Sequence, residues 1–82
     1  MFIISKKKRM TVNDVKIIHA RKTEENIVLP YGIYVGWGDS ELLEVASYDS
    51  GAKAMAVYDQ LQNAMIADEK FFILPGNEEV QA

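Results

Sequence analysis

The chain has 82 residues, no cysteine and one histidine, is 49% hydrophobic, and carries a formal net charge of −3. That length suits one domain with a modest core. The missing cysteines exclude disulfides, thiolate metal sites and a cysteine nucleophile, and a single imidazole leaves no histidine cluster for zinc.

The chain opens with a short apolar strand, Phe2-Ile3-Ile4, followed by a basic turn, Ser5 to Lys8. Arg9 to Val12 is expected to pair back on it as a hairpin. Val15 to Lys22 reads as a further strand, which a bulge at Asn13-Asp14 could make continuous with Arg9 to Val12. Its buried face is ambiguous, because Ile17 and Ile18 are adjacent and must point opposite ways. Thr23 to Asn26 is a polar loop of hairpin length. Val28 to Trp37 alternates most clearly: Tyr31, Ile33, Val35 and Trp37 share one face, the expected core, and Gly32, Tyr34 and Gly36 share the other. Pro30 suits only the start or an unpaired edge of that strand.

After a turn at Gly38-Asp39-Ser40, Glu41 to Tyr48 returns as a strand, with Leu43 and Val45 expected inward and Glu44 and Ala46 outward. The apolar rhythm changes at Tyr48-Asp49-Ser50. Ser50 is placed to cap a helix, with Asp49 adding favourable charge at its N-terminus. Ala54, Val57, Tyr58, Leu61, Ala64 and Met65 then recur at helical spacing as one stripe. Phe71 to Leu74 is a last strand, stopped by Pro75-Gly76. The expected fold is therefore α+β, an antiparallel sheet of four to five strands with one helix on one face. A single domain covers residues 1–75, and residues 76–82 form a polar, frayed tail. A helix crossing the sheet once would set the last strand antiparallel beside the first. The alternative is a parallel place next to Glu41–Tyr48.

The step Tyr48-Asp49-Ser50 with Ala54, Val57 and Leu61, the closing Phe71-Phe72-Ile73-Leu74-Pro75, the opening Phe2-Ile3-Ile4-Ser5 and the turn Asn13-Asp14-Val15 together resemble a group of small uncharacterised proteins of Gram-positive bacteria and their phages. The chain departs from that pattern at Gly51, where a better helix former is expected. The resemblance implies the same meander-plus-helix fold and a bacterial or phage origin, and it implies no catalytic residue.

The charge is uneven: residues 1–22 sum to +6 and residues 23–82 to −9. Such a split marks either a partner surface or two halves that neutralise each other. Lys6, Lys7, Lys8 and Arg9, with Lys16, Arg21 and Lys22, are the candidate phosphate contacts of a nucleic-acid-binding module. Against that reading, no aromatic residue lies between Ser5 and Asn26 to stack a base, and a basic turn also serves to keep a strand edge from aggregating. The glycines around Tyr34 lie in a strand that leads to another strand, so they are no phosphate loop. They strip side chains from the outer face and let a ring or backbone approach. If Ile17, Ala46 and Tyr48 share that face, an apolar interface patch surrounds Tyr34. Glycine can equally permit a strong twist, with Tyr34 filling the gap.

Phe2-Ile3-Ile4 and Phe71 to Leu74 are apolar on both faces, and one helix covers only one. The expected interface is therefore Gly32, Tyr34, Gly36, Ile17, Ala46, Tyr48, Phe2 and Phe72, and the expected partner is a second copy. The acidic pairs Glu24-Glu25, Asp68-Glu69 and Glu78-Glu79 do not converge as acid/base pairs must. No catalytic residue, cofactor or metal site is expected. Because Met1 to Ile4 is too short for a leader and no apolar run approaches a membrane span of roughly 20 residues, a cytoplasmic, non-enzymatic interaction protein is the reading.

Overall fold

The computed structural model describes residues 1–39 and 41–81. Ser40, the last residue of the expected Gly38-Asp39-Ser40 turn, and Ala82 lie outside them. The strands are β1 (Phe2–Ser5), β2 (Met10–Asn13), β3 (Ile17–Lys22), β4 (Tyr31–Gly36), β5 (Leu43–Tyr48) and β6 (Phe71–Ile73). The single helix, α1 (Gly51–Ile66), lies between β5 and β6, and a 3₁₀ turn (Asn77–Glu79) follows β6. The α+β class holds, but the strands form two three-stranded sheets, β2-β1-β6 and β3-β4-β5, and not one sheet of four to five.

The division begins at the residues expected to bulge. Asp14 takes a left-handed backbone, φ 56°, so the chain turns a corner after Asn13 and β3 starts a new sheet. Trp37 Nε1 donates to the Asn13 carbonyl (2.7 Å) across that corner. The division also explains the direction of β6. It lies beside β1, as expected, but parallel to it, with Phe2 opposite Phe71 and Ile4 opposite Ile73. Counting alternate directions along a meander fixes the last strand only while every strand belongs to one sheet.

The β1–β2 hairpin forms as expected, with Ile3 opposite Val12 and Ile4 opposite Thr11. Arg9, at φ 53°, closes its turn. β4 starts at Tyr31 and not at Val28, because the Asn26 side chain accepts from the Val28 and Leu29 amides (3.1 and 2.9 Å) and holds that stretch in a turn. Pairing settles the parity of β3: Ile18 opposes Val35 and Ala20 opposes Ile33 on the core side, and Ile17 opposes Gly36 on the reverse. A bulge follows on β5, since Ile33 opposes Ala46 while Tyr34 opposes Glu44. The extra residue, Val45, moves Ala46 to the core side of the sheet, against the outward place expected for it, and leaves Glu44 outside as expected.

Ser50 caps α1 as expected, its side chain accepting from the Lys53 amide (3.2 Å). The helix lies on β3, β4 and β5. Ala54, Val57 and Leu61 are buried against Ile33, Val35, Val45 and Tyr48, with Tyr58 and Met65 half-buried beside them. Ile3 of the first sheet joins the same cluster, so both sheets share one core. Of the residues expected inward, Trp37 lies past the end of β4 and is exposed, as is Leu43.

The segment after β6 is docked where fraying was expected. Tyr48 Oη donates to the Pro75 carbonyl (2.7 Å). The Asp49 amide donates to Asn77 Oδ1 (2.9 Å), and Lys53 Nζ donates to the Asn77 carbonyl (3.1 Å). Val80 is buried in the core.

Candidate functional site

Three surfaces could do work: the outer faces of the two sheets, and a cleft between their edges. On the outer face of the second sheet, alternation places Ile17, His19 and Arg21 on β3, Gly32, Tyr34 and Gly36 on β4, and Glu44 on β5. The Tyr34 ring lies along its strand over Gly32, where a Cβ would come 2.9 Å from the ring. Arg21 stacks on the ring, its Cζ 4.3 Å from the centroid. Lys8 reaches across from the basic turn and pairs with Glu44 Oε1 at 2.9 Å. The result is a chain of Lys8, Glu44, Tyr34 and Arg21 that leaves Tyr34 only 9% exposed.

The electrostatics follow from this packing. Burial raises the pKa of the Tyr34 hydroxyl, and the neighbouring Glu44 carboxylate raises it further. Burial also pushes the Glu44 carboxyl up, but Lys8, Tyr34 and Ser47 outweigh it and hold Glu44 below the usual carboxylate range. The expected apolar patch around Tyr34 is thus a satisfied polar network. Ile17 shares its face, as do Gly32 and Gly36. Ala46 and Tyr48 pair with Ile33 and Tyr31 on the opposite, core side. They cannot join a surface with Tyr34.

The outer face of the first sheet is different. Phe2 and Ile4 on β1, Thr11 and Asn13 on β2, and Phe71 and Ile73 on β6 stand side by side in register. Phe2 is 50%, Phe71 58% and Ile73 44% exposed. No charged residue occupies any of these six positions. Phe2 lies where the interface was expected, whereas Phe72 turns inward and packs on the core. Its neighbours Phe71 and Ile73 supply the surface. The two-sided apolar character of β6 signalled such a face, but the parity that selects Phe71 over Phe72 comes from the pairing with β1.

The basic residues do not assemble into one strip. Lys8 is paired with Glu44, Arg21 is stacked on Tyr34, and Lys22 Nζ lies 5.7 Å from the Tyr31 ring centroid. Lys16 follows β2 at the far end of the hairpin, its amide bonded to the Gly36 carbonyl (2.9 Å). Lys6, Lys7 and Arg9 stay exposed at the turn.

A cleft of about 820 Å³ opens between the edge of β5 and the end of β6. Val45, Ala46, Ser47 and Leu74 line it, as do Val28 and Leu29 of the loop before β4. Lys6 and Lys7 stand at one end, and Glu78 and Glu79 at the other. Among the described residues no helix is long and apolar enough to cross a membrane. In comparison with known proteins, no family model, no curated protein and no solved structure matches this chain.

Proposed function

We propose that this chain is a non-enzymatic interaction module, of the bacterial or phage origin its resemblance implies, that pairs with a second copy of itself through the outer face of the first sheet. The observation that carries the reading is the contiguous surface of exposed Phe2, Phe71 and Ile73 around a half-buried Ile4. Apolar surface left in water on a small domain is a contact site in waiting, since each Å² covered contributes about 25 cal/mol.

The absence of charge on that face favours a second copy as the occupant. A two-fold interface sets one patch against itself, residue i meeting j and j meeting i, so a patch without charge is self-complementary with no need of an opposite charge elsewhere on it. The patch of Phe2, Ile4, Thr11, Asn13, Phe71 and Ile73 meets its copy without charge repulsion, and paired aromatics add about 0.5–1.5 kcal/mol beyond area.

Sedimentation equilibrium over a micromolar concentration series tests this. The expected result is a concentration-dependent dimer that Phe71→Ser returns to monomer with an unchanged far-ultraviolet spectrum. A monomer throughout the range overturns the reading.

A further inference from the structure

We infer that the cleft between β5 and β6 accepts an extended peptide, which adds as a short strand to the edge of β5. The basis is a gap in the backbone pairing of that edge. Thr23 donates its amide to the Pro30 carbonyl (2.7 Å), so Thr23–Pro30 is a hydrogen-bonded pair of the antiparallel ladder. Alternation carries the pattern to Arg21–Gly32 and turns the Tyr31 and Ile33 backbone groups toward β5. Their partners Tyr48 and Ala46 therefore face β4. Ser47 and Asp49 turn their backbone groups the other way, to the edge, as does the carbonyl of the bulged Val45.

Two of these three are already engaged. The Val45 carbonyl accepts from Ser5 Oγ (2.6 Å), and the Asp49 amide donates to Asn77 Oδ1 (2.9 Å). Between them the Ser47 N–H and C=O have no protein partner among the described residues, and Ser47 lines the cleft. An exposed pair of this kind is the anchor that strand addition uses: main-chain bonds supply affinity and flanking pockets supply selectivity. Ala46, Leu74 and Pro75 offer apolar contact on either side.

Charge sets the direction of the guest. Lys8 bonds Glu44, so the Lys6–Lys7 turn stands at the N-terminal end of β5. Tyr48 and Asp49 bond Pro75 and Asn77, so Glu78 and Glu79 stand at the C-terminal end. Antiparallel addition, the stronger mode, places the guest's C-terminus beside the lysines. The fitting partner is an extended segment that is basic at its start, β-branched in the middle, and acidic or carboxyl-terminated at its end.

The probes are two fluorescein-labelled pentapeptides of equal composition, Lys-Val-Thr-Val-Asp and the reversed Asp-Val-Thr-Val-Lys, titrated into the full chain at low salt and followed by anisotropy. The first is expected to bind about tenfold more tightly, the equivalent of about 1.4 kcal/mol, with amide shifts in a nitrogen–proton spectrum centred on Ser47. Ser47→Pro removes the donor at an outward edge position that proline tolerates, and should abolish binding, while Ser47→Ala should keep it. If Ser47→Pro does not fold, the shift map of the unaltered chain decides. Equal affinity for the two peptides, binding that survives Ser47→Pro, shifts that fall elsewhere, or no binding at millimolar peptide overturns the inference.

Discussion

The informative residues are those whose polar atoms had to be satisfied in place. Glu44 stands between Lys8 and Tyr34 on a sheet surface and is held below its ordinary value of 4.5. A carboxyl lowered on folding stabilises the protein fully above its unfolded value, and that contribution disappears as pH falls through the folded one. Glu44→Gln should therefore narrow the difference in urea midpoint between pH 7 and pH 3, and should cost less than about 1 kcal/mol at neutral pH. Tyr48 is the opposite case. Burial, assisted by Glu79, pushes its hydroxyl up to about 12 from an ordinary 10.0. The neutral form is the folded form, so its contribution is complete below pH 10.0 and disappears as pH climbs through about 12. Absorbance at the phenolate band should show Tyr48 ionising last, after Tyr34, whose hydroxyl is also raised. Tyr48→Phe should remove that late step and, by deleting the bond to Pro75, lower stability by about 1 kcal/mol.

Among the elements, α1 depends most on its entry. Gly51 is a poor first helical residue, but a Cβ there would come 3.3 Å from the Tyr31 ring, closer than ordinary contact. A side chain there would ask the Tyr31 ring to give by a few tenths of an ångström, so glycine leaves the ring room at a cost in helix propensity. The cap must offset it, and Ser50→Ala should lower the thermal midpoint by the equivalent of about 1 kcal/mol, read by circular dichroism. The segment after β6 is tied down by Asp49, Lys53 and Asn77 and by the burial of Val80. Val80→Ala removes two buried carbons and should cost about 1.5 kcal/mol, measurable in the same melt. A frayed tail would show no change.

For the molecule as a whole, the question is whether two sheets make one cooperative unit. Ile3 of the first sheet is buried with Ile33, Val57 and Leu61 of the second sheet and helix. Ser5 bonds Val45 and Trp37 bonds Asn13 across the junction. Trp37, the single tryptophan, therefore reports the junction, while far-ultraviolet dichroism reports mainly α1. The two signals should give one coincident urea transition, as expected of a small domain with a shared core. Separate midpoints would mean that the sheets unfold independently. The uneven charge of the chain is met in part at this scale: the +6 segment and the −9 remainder touch directly at Lys8–Glu44, and Lys6 and Lys7 line a cleft that Glu78 and Glu79 also line.

By itself the sequence determined whatever near neighbours decide. Ser50 caps because the free amides of the first turn lie within reach of its own hydroxyl. Ala54, Val57 and Leu61 share a face because a helix turns every 3.6 residues. Phe2-Ile3-Ile4 and Met10 to Val12 pair because a short polar turn joins them. Only the tertiary structure decided matters of parity and membership. Asp14 broke one meander into two sheets, which reversed the expected direction of β6. An extra residue at Val45 carried Ala46 to the core side, and pairing with β1 turned Phe72 inward and Phe71 outward. The unpaired Ser47 backbone depends on Ser5 and Asn77, each about 30 or more residues distant along the chain. A period of two records that faces alternate, but which face meets the core is settled by contacts between segments far apart in the chain, and these leave no local signature.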